Sequence, residues 1–262
     1  MIRLVTLLRR KAGCSGADYK EHLVDTVGPL VAGMQARLGL VRYVQLHADA
    51  DAAEGDRAAS AVRGCDPSPF ACMADYWWPS SEVLAAQLAS DDGAAMLRQI
   101  GAAQAEVLEP SQSLCWLAME FPQVASGPGH VAARERTPLL RLVFPLMPRD
   151  GMSEVDARDY WLLQHGPLVR SHSVARGMVR YTQVHRRDEP MTTQVAALLG
   201  LSEGRFMGHA EAWFDRSVVR VGPDFEAAKA DAAQDERRFI QLSASFLFSG
   251  KEYPFVERDW IV

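Results

Sequence analysis

Arg42-Tyr43-Val44-Gln45-Leu46-His47 and Arg180-Tyr181-Thr182-Gln183-Val184-His185 are one phrase written twice, 138 positions apart. The same offset lays Gly28-Pro29-Leu30-Val31 on Gly166-Pro167-Leu168-Val169. Held without a gap from Met1–His47 onto Leu139–His185, it gives 17 identities in 47 positions, where unrelated sequences of ordinary composition would give about three. The chain is therefore a tandem repeat, and whatever one half folds into, the other folds into as well.

Beyond His47 the correspondence continues at shorter offsets. Ala74-Asp75-Tyr76-Trp77-Trp78 answers Ala210-Glu211-Ala212-Trp213-Phe214, Ala102-Ala103-Gln104 answers Ala232-Ala233-Gln234, and Trp116 falls opposite Phe246. The slippage places length differences in loops, where they are tolerated. In the second half, Leu139–Phe144 reads as a strand. Ser153 reads as a helix cap with Asp156 three residues on, and Trp161 and His165 share a helical face. That helix is expected to stop at Gly166-Pro167, because proline disfavours helix in the residue before it. Met178–His185 and Gly208–Phe214 read as strands, Asp224–Phe239 as a helix and Leu242–Phe248 as a closing strand. The first half repeats the order over Ile2–Leu8, Gly16–Val27, Leu40–His47, Ala71–Trp78, Ser81–Glu109 and Leu114–Phe121.

The predicted class is α+β: two ferredoxin-like βαββαβ repeats. Each such sheet leaves one face bare, which must be covered. The two are expected to pack sheet to sheet as a pseudo-twofold α+β barrel within one chain. The first repeat spans 1–121, a linker 122–138 and the second repeat 139–262.

With 48% hydrophobic and 23% charged residues the composition is that of a globular protein. A net charge of −5 lacks the basic face that nucleic-acid binding requires. No apolar run approaches the roughly 18 residues of a membrane span, and Met1–Arg10 does not read as a signal peptide. Cys14, Cys65, Cys72 and Cys115 form no metal-ligand pattern and read as reduced thiols of a cytoplasmic protein. Dinucleotide, phosphate-loop, nucleophile-elbow and zinc-protease motifs are missing, so no metal is expected, and the chemistry is expected to use ordinary side chains without a cofactor, or else a cofactor bound without a short motif.

A strand, a helix carrying Trp161 and His165-Gly166-Pro167-Leu168, and a strand carrying Arg180-Tyr181, Gln183 and His185 resemble the EthD-like branch of the dimeric α+β barrel superfamily. Ala210–Phe214 and Asp235-Glu236 extend the likeness over nearly all of the second half, and the first half matches more loosely. The resemblance implies a hydrophobic cavity between sheet and helices. In such a cavity a few His, Tyr or Asp groups act on aromatic or polyketide-like molecules without a bound cofactor. It is an analogy of fold, which does not fix function.

The halves differ where chemistry is expected. Leu23 and Val27 stand opposite Trp161 and His165, and Met73 and Asp75 opposite His209 and Glu211. The second half is therefore expected to carry the site and the first to act mainly as scaffold. His165, His185 and Tyr181 are the candidate catalytic groups. Trp161, Phe144, Trp213 and Tyr160 are candidate walls, with His209 and Glu211 as further lining groups. Arg141, like Arg3, sits in an apolar strand and is either paired with an acid or a clamp for a substrate carboxylate. The expected activity is a cofactor-independent lyase or isomerase acting by proton transfer on an aromatic or phenolic small molecule, by decarboxylation, isomerisation or cyclisation. Two alternatives remain: a cofactor-free oxygenase of phenols, and a non-catalytic small-molecule or haem-binding accessory protein. The expected partner is a small aromatic substrate; whether the chain forms a homodimer is open.

Overall fold

Every residue of Ile2–Leu8 is buried, Arg3 included, so this strand needs cover on both faces. The computed structural model describes residues 1–125, 131–218 and 221–257. In its first half, β1 (Ile2–Leu8) is followed by α1 (Gly16–His22), α2 (Gly28–Leu38), β2 (Arg42–Ala48), α3 (Ala53–Arg63), β3 (Cys72–Trp78), α4 (Ser81–Ala89), α5 (Asp91–Ala105) and β4 (Leu114–Val124). The second half has β5 (Leu139–Leu146), α6 (Glu154–Tyr160), α7 (Gly166–Arg176), β6 (Met178–Arg186), α8 (Met191–Leu199), the two-residue β7 (Ser202–Glu203), β8 (Gly208–Asp215), α9 (Pro223–Glu236) and β9 (Phe248–Glu257).

Hydrogen bonding runs β1-β3-β2-β9-β5-β8-β6-β4 and returns from β4 to β1, closing eight strands into an antiparallel α+β barrel. The expected layers do not simply stack; their edges join, which removes the free strand edges altogether. The two seams are equivalent. β4 pairs first with β1 and then with β6; β9 pairs first with β5 and then with β2.

Several sequence expectations are corrected. The helix through Trp161 does not stop at Gly166-Pro167. It passes through a π turn, Trp161–His165, and runs on to Arg176. Pro167 is the second residue of α7, directly after the π turn, where the change of hydrogen-bond pattern leaves room for a residue without an N–H. Leu23–Val27 makes the same turn before α2. Ser81–Glu109 is two helices, broken where Ser90 accepts a hydrogen bond from Gly93 N and so caps α5. The closing strand is Phe248–Glu257, and Leu242–Ala244 is a 3-10 turn leading to it. Consequently Trp116 has Phe248 as its counterpart, not Phe246: Val5 faces Trp116 as Val143 faces Phe248. Phe121-Pro122-Gln123-Val124 and Tyr253-Pro254-Phe255-Val256 then coincide, and each proline sits at a register shift in its seam, the position where a ladder tolerates it. β4 thus runs into the expected linker; the middle of that connection, 126–130, lies outside the described residues.

The barrel interior holds a pseudo-symmetric ionic cluster. Arg3 reaches Asp75, Glu120 and Glu211, at 2.8, 2.8 and 2.5 Å. Its counterpart Arg141 reaches Glu211, Asp75 at 3.0 Å and Glu252 at 3.2 Å. Trp77 Nε1 donates to Glu120 and Trp213 Nε1 to Glu252, both at 3.0 Å. The buried charges are mutually paired, as burial demands.

The helices between the second and third strands are exchanged between halves. α8 packs on α4 and α5 and buries Val195, Ala196 and Leu199 in the core of the first half. α3 reaches across to the second half, where Ala59 and Cys65 pack against the cluster containing Trp161 and Phe239.

Candidate functional site

Period-two geometry divides the second-half strands cleanly. Arg141, His209, Glu211 and Trp213 point into the barrel, whereas Leu142, Phe144, Leu146, Tyr181, Ala210, Ala212 and Phe214 point outward, toward α7 and α9. Against this outer face lies a cavity of about 640 Å³, walled further by Trp161, Val169, Phe239 and Ile240 and closed in part by Gly55, Ala58, Ala59 and Val62 of α3. Its volume is that of a site for a small organic molecule. The small residues of α3 leave this space. In the first half the corresponding region is filled by Leu23, Val27, Leu38, Leu97, Ile100 and the α8 side chains, all within one buried cluster.

His165 closes the π turn and lines the cavity. Its Nδ1 lies 2.8 Å from Asp235 Oδ2 on α9, and Tyr160 donates its hydroxyl to Asp235 Oδ1 at 2.7 Å. Burial works to raise the Asp235 carboxyl, but the bonds from His165 and Tyr160 prevail and hold it below the usual carboxylate range. An ionised Asp235 requires the proton on Nδ1; in the neutral imidazole this leaves Nε2 as a hydrogen-bond acceptor.

Tyr181 lines the same cavity, and Trp161 Nε1 donates to its hydroxyl oxygen at 3.1 Å. The phenolic hydrogen therefore remains to be offered elsewhere. Burial pushes the Tyr181 phenol up to about 12, so it stays protonated at neutral pH.

Gln183 Nε2 donates to Trp161 O at 2.8 Å, and Gly166 N–H reaches the same carbonyl. The motif glutamine thus pins the π turn that carries His165. His185 stands behind it: Nε2 lies 3.0 Å from Gln183 Oε1, and the ring stacks on Trp161 at 4.4 Å and meets Phe121 at 4.7 Å. It does not reach the cavity wall. Burial first, then Arg158 and His209, lower it to about 3. Its counterpart His47 makes the same bond to Gln45, at 2.8 Å, and is likewise lowered to about 3, by burial first and then Lys20.

The structure therefore unites His165, Tyr181, Trp161 and Phe144 at one cavity, with Tyr160 behind Asp235. It separates Arg141, His209, Glu211 and Trp213, which lie across the sheet. Arg141 is not a carboxylate clamp in this arrangement, since Glu211, Asp75 and Glu252 occupy its guanidinium. His209 is fully buried, with Nε2 at 2.7 Å from Glu211. Three cavity groups went unread in the sequence. Arg63 comes from the other half and forms a two-pronged pair with Glu236, at 2.7 and 3.0 Å. Arg176 ends α7 and lines the cavity; the signal for it was Leu38 at the equivalent position.

A closed α+β barrel with a ligand-sized cavity between sheet and helices is the class of protein that fold and site define. The EthD domain matches residues 11–102 and 149–243, more than half of the chain in two stretches, and the chain belongs to that family. No curated protein matches it in sequence. Among solved structures, a candidate monooxygenase from Fusobacterium nucleatum aligns over 96% of this chain and 91% of its own, at 6% identity and a TM-score of 0.50, a likeness of fold alone. A candidate monooxygenase from Lactobacillus acidophilus aligns over 96% and 93%, at 8% identity and a TM-score of 0.46. A candidate chlorite dismutase aligns over 96% and 94%, at 10% identity and a TM-score of 0.49.

Proposed function

We propose that the second-half cavity is the active site of a cofactor-independent enzyme that moves protons on an aromatic or phenolic small molecule. The observation that carries this reading is the His165–Asp235 pair, opening on an apolar cavity beside the Tyr181 hydroxyl. Asp235 fixes the His165 tautomer, and Nε2 takes a proton from a phenol or from a carbon beside a carbonyl. The electron pair left behind moves onto the substrate oxygen, where the Tyr181 O–H donates to it. Return of the proton from Nε2 to a different carbon completes an isomerisation; attack of the enolate carbon on a second carbonyl, with the Nε2 proton passing to the alkoxide so formed, completes a cyclisation. Neither consumes an oxidant. A positioned acid or base of this kind supplies about 10²–10⁴-fold.

On this reading each half is a ferredoxin-like unit, with 1–121 as scaffold, 122–138 as the connection and 139–262 carrying the chemistry. Decarboxylation of a phenolic acid belongs to the same class, with His165 reprotonating the ring.

The test is hydrogen–deuterium exchange in D2O, followed by proton NMR across a panel of enolisable aromatic ketones and phenols. The protein is expected to speed exchange at one carbon of a preferred compound. Asp235→Asn, which favours the wrong tautomer, should lower that rate by about 10²–10⁴-fold while the fold is kept. Exchange that persists unchanged in both His165→Ala and Asp235→Asn overturns the proposal.

A further inference from the structure

We infer that the ligand of this cavity is an elongated aromatic anion whose carboxylate binds Arg176. The inference rests on the second-half cavity being the ligand site, as proposed above. Arg176 stands at the end of α7, and its guanidinium faces the same cavity as His165. Among the described residues it has neither a hydrogen-bond nor an ion-pair partner, although it is half-buried. Burial works against its charge, Glu236 only partly offsets this, and Arg63 opposes it. Glu236 is already engaged on both oxygens by Arg63. One positive charge thus faces an apolar space with its forked donors unused, the arrangement that a carboxylate or sulfonate completes.

Spacing sets the shape of the ligand. His165, Val169 and Arg176 lie at i, i+4 and i+11, which is one stripe of a helix. Eleven residues along that helix put the two polar ends about 16 Å apart at the backbone. Side-chain reach shortens the gap to something on the order of 10 Å, which one ring with its carboxylate does not span but a fused or linked pair of rings does. Leu142, Phe144, Val169 and Ala212 supply the apolar walls between. Lys229 and Glu226, paired at 3.3 Å on exposed α9, stand where the cavity meets solvent. The same geometry bears on the reaction. A guanidinium on the carboxylate holds negative charge there, whereas loss of carbon dioxide requires that charge to leave for the ring. Enolisation or cyclisation at the His165 end is favoured over decarboxylation of the anchored group.

The experiment is calorimetric binding at pH 7.5 of 6-hydroxy-2-naphthoate, its neutral amide 6-hydroxy-2-naphthamide, and 4-hydroxybenzoate. The naphthoate is expected to bind at least tenfold more tightly than both the amide and the single-ring acid. Arg176→Met should abolish the preference for acid over amide and leave amide affinity within about twofold, and Arg176→Lys should restore part of it. Equal affinity of acid and amide for the unaltered protein, which needs no variant to measure, overturns the anion assignment. Survival of the acid preference in Arg176→Met does the same. In either case proton exchange that depends on His165 still supports the enzymatic reading. If neither naphthalene compound binds, the elongated-anion assignment falls, and the enzymatic reading is decided separately by whether proton exchange depends on His165.

Discussion

His185, a catalytic candidate in sequence, lies buried behind the π turn, as does its counterpart His47. Each closes the repeated motif, each bonds the motif glutamine, and each is 3% and 7% exposed respectively. Both are lowered from 6.5 to about 3, chiefly by burial. Between those values the unfolded chain holds a proton that the folded chain refuses, so stability rises with pH across this window and is complete above 6.5. From pH 7 to pH 5 each imidazole should cost about 2 kcal/mol. Urea unfolding at the two pH values checks this. His47→Gln and His185→Gln should each remove about half of the loss, and an undiminished loss in the double variant would assign it to the carboxylates instead. Their recurrence in both halves was the sequence clue to a structural role. His165, present once, stood out by the same comparison. Arg176 escaped because a basic residue in the last turn of a helix ordinarily reads as a surface complement to the helix dipole; only its counterpart Leu38, fully buried, betrays an inward position.

At the level of the element, the π turn decides where His165 points. Its carbonyl is held by Gln45 in one half and Gln183 in the other, and the glycine after it lies against the seam strand of the opposite half. There the halves differ. A methyl group on Gly28 would fall 2.1–2.6 Å from the Phe255 ring, whereas one on Gly166 would meet the movable ends of Gln123, at 2.7 Å, and Gln183, at 3.0 Å. The Phe255 ring is partly buried against the first-half core and 5.7 Å from the Tyr43 ring, so making room for a methyl disturbs that packing, and Gly28→Ala should destabilise by about 1–3 kcal/mol. Gly166→Ala should cost clearly less, unless it displaces Gln183 from the π turn. Urea midpoints at constant slope give the comparison, and equal losses would contradict the difference in packing. The first three strands of each half were legible because their apolar runs stand between clear turn signals. The fourth strand of the first half was legible too, from Leu114 on; that of the second was misplaced because Leu242–Phe248 is the more apolar stretch, while the real strand carries Gly250 and Pro254, which ordinarily argue against a central strand. The repeat itself held the remedy, since Phe121-Pro122-Gln123-Val124 and Tyr253-Pro254-Phe255-Val256 align once the offset is allowed to shorten again.

At the scale of the whole molecule, duplication bought unequal halves without giving up a shared frame. The ionic cluster joins them at the centre: Arg3 of the first half reaches Glu211 of the second, and Arg141 of the second reaches Asp75 of the first. Burial raises and the two arginines lower the Glu211 carboxyl, and the arginines win. The seams β4–β6 and β9–β2 join them at the edges, and the exchanged helices α3 and α8 join them on the outside. Dividing the chain would leave two open seam edges, a cluster of buried charges without partners and an apolar core exposed where α8 is missing. Loss of one partner from a buried pair alone costs about 3–5 kcal/mol, comparable with the roughly 5–15 kcal/mol that a domain has in total. Residues 1–125 and 131–262, produced separately, are therefore expected to lack cooperative unfolding transitions and to bind a hydrophobic dye. Mixed in equal amounts they should regain one transition together with the cavity and the naphthoate binding proposed for it, because α3 of the first piece helps to wall the cavity of the second. A second-half fragment that unfolds cooperatively alone and binds the probe as tightly as the intact chain would show that the halves are independent domains, and that the first half contributes nothing to the site.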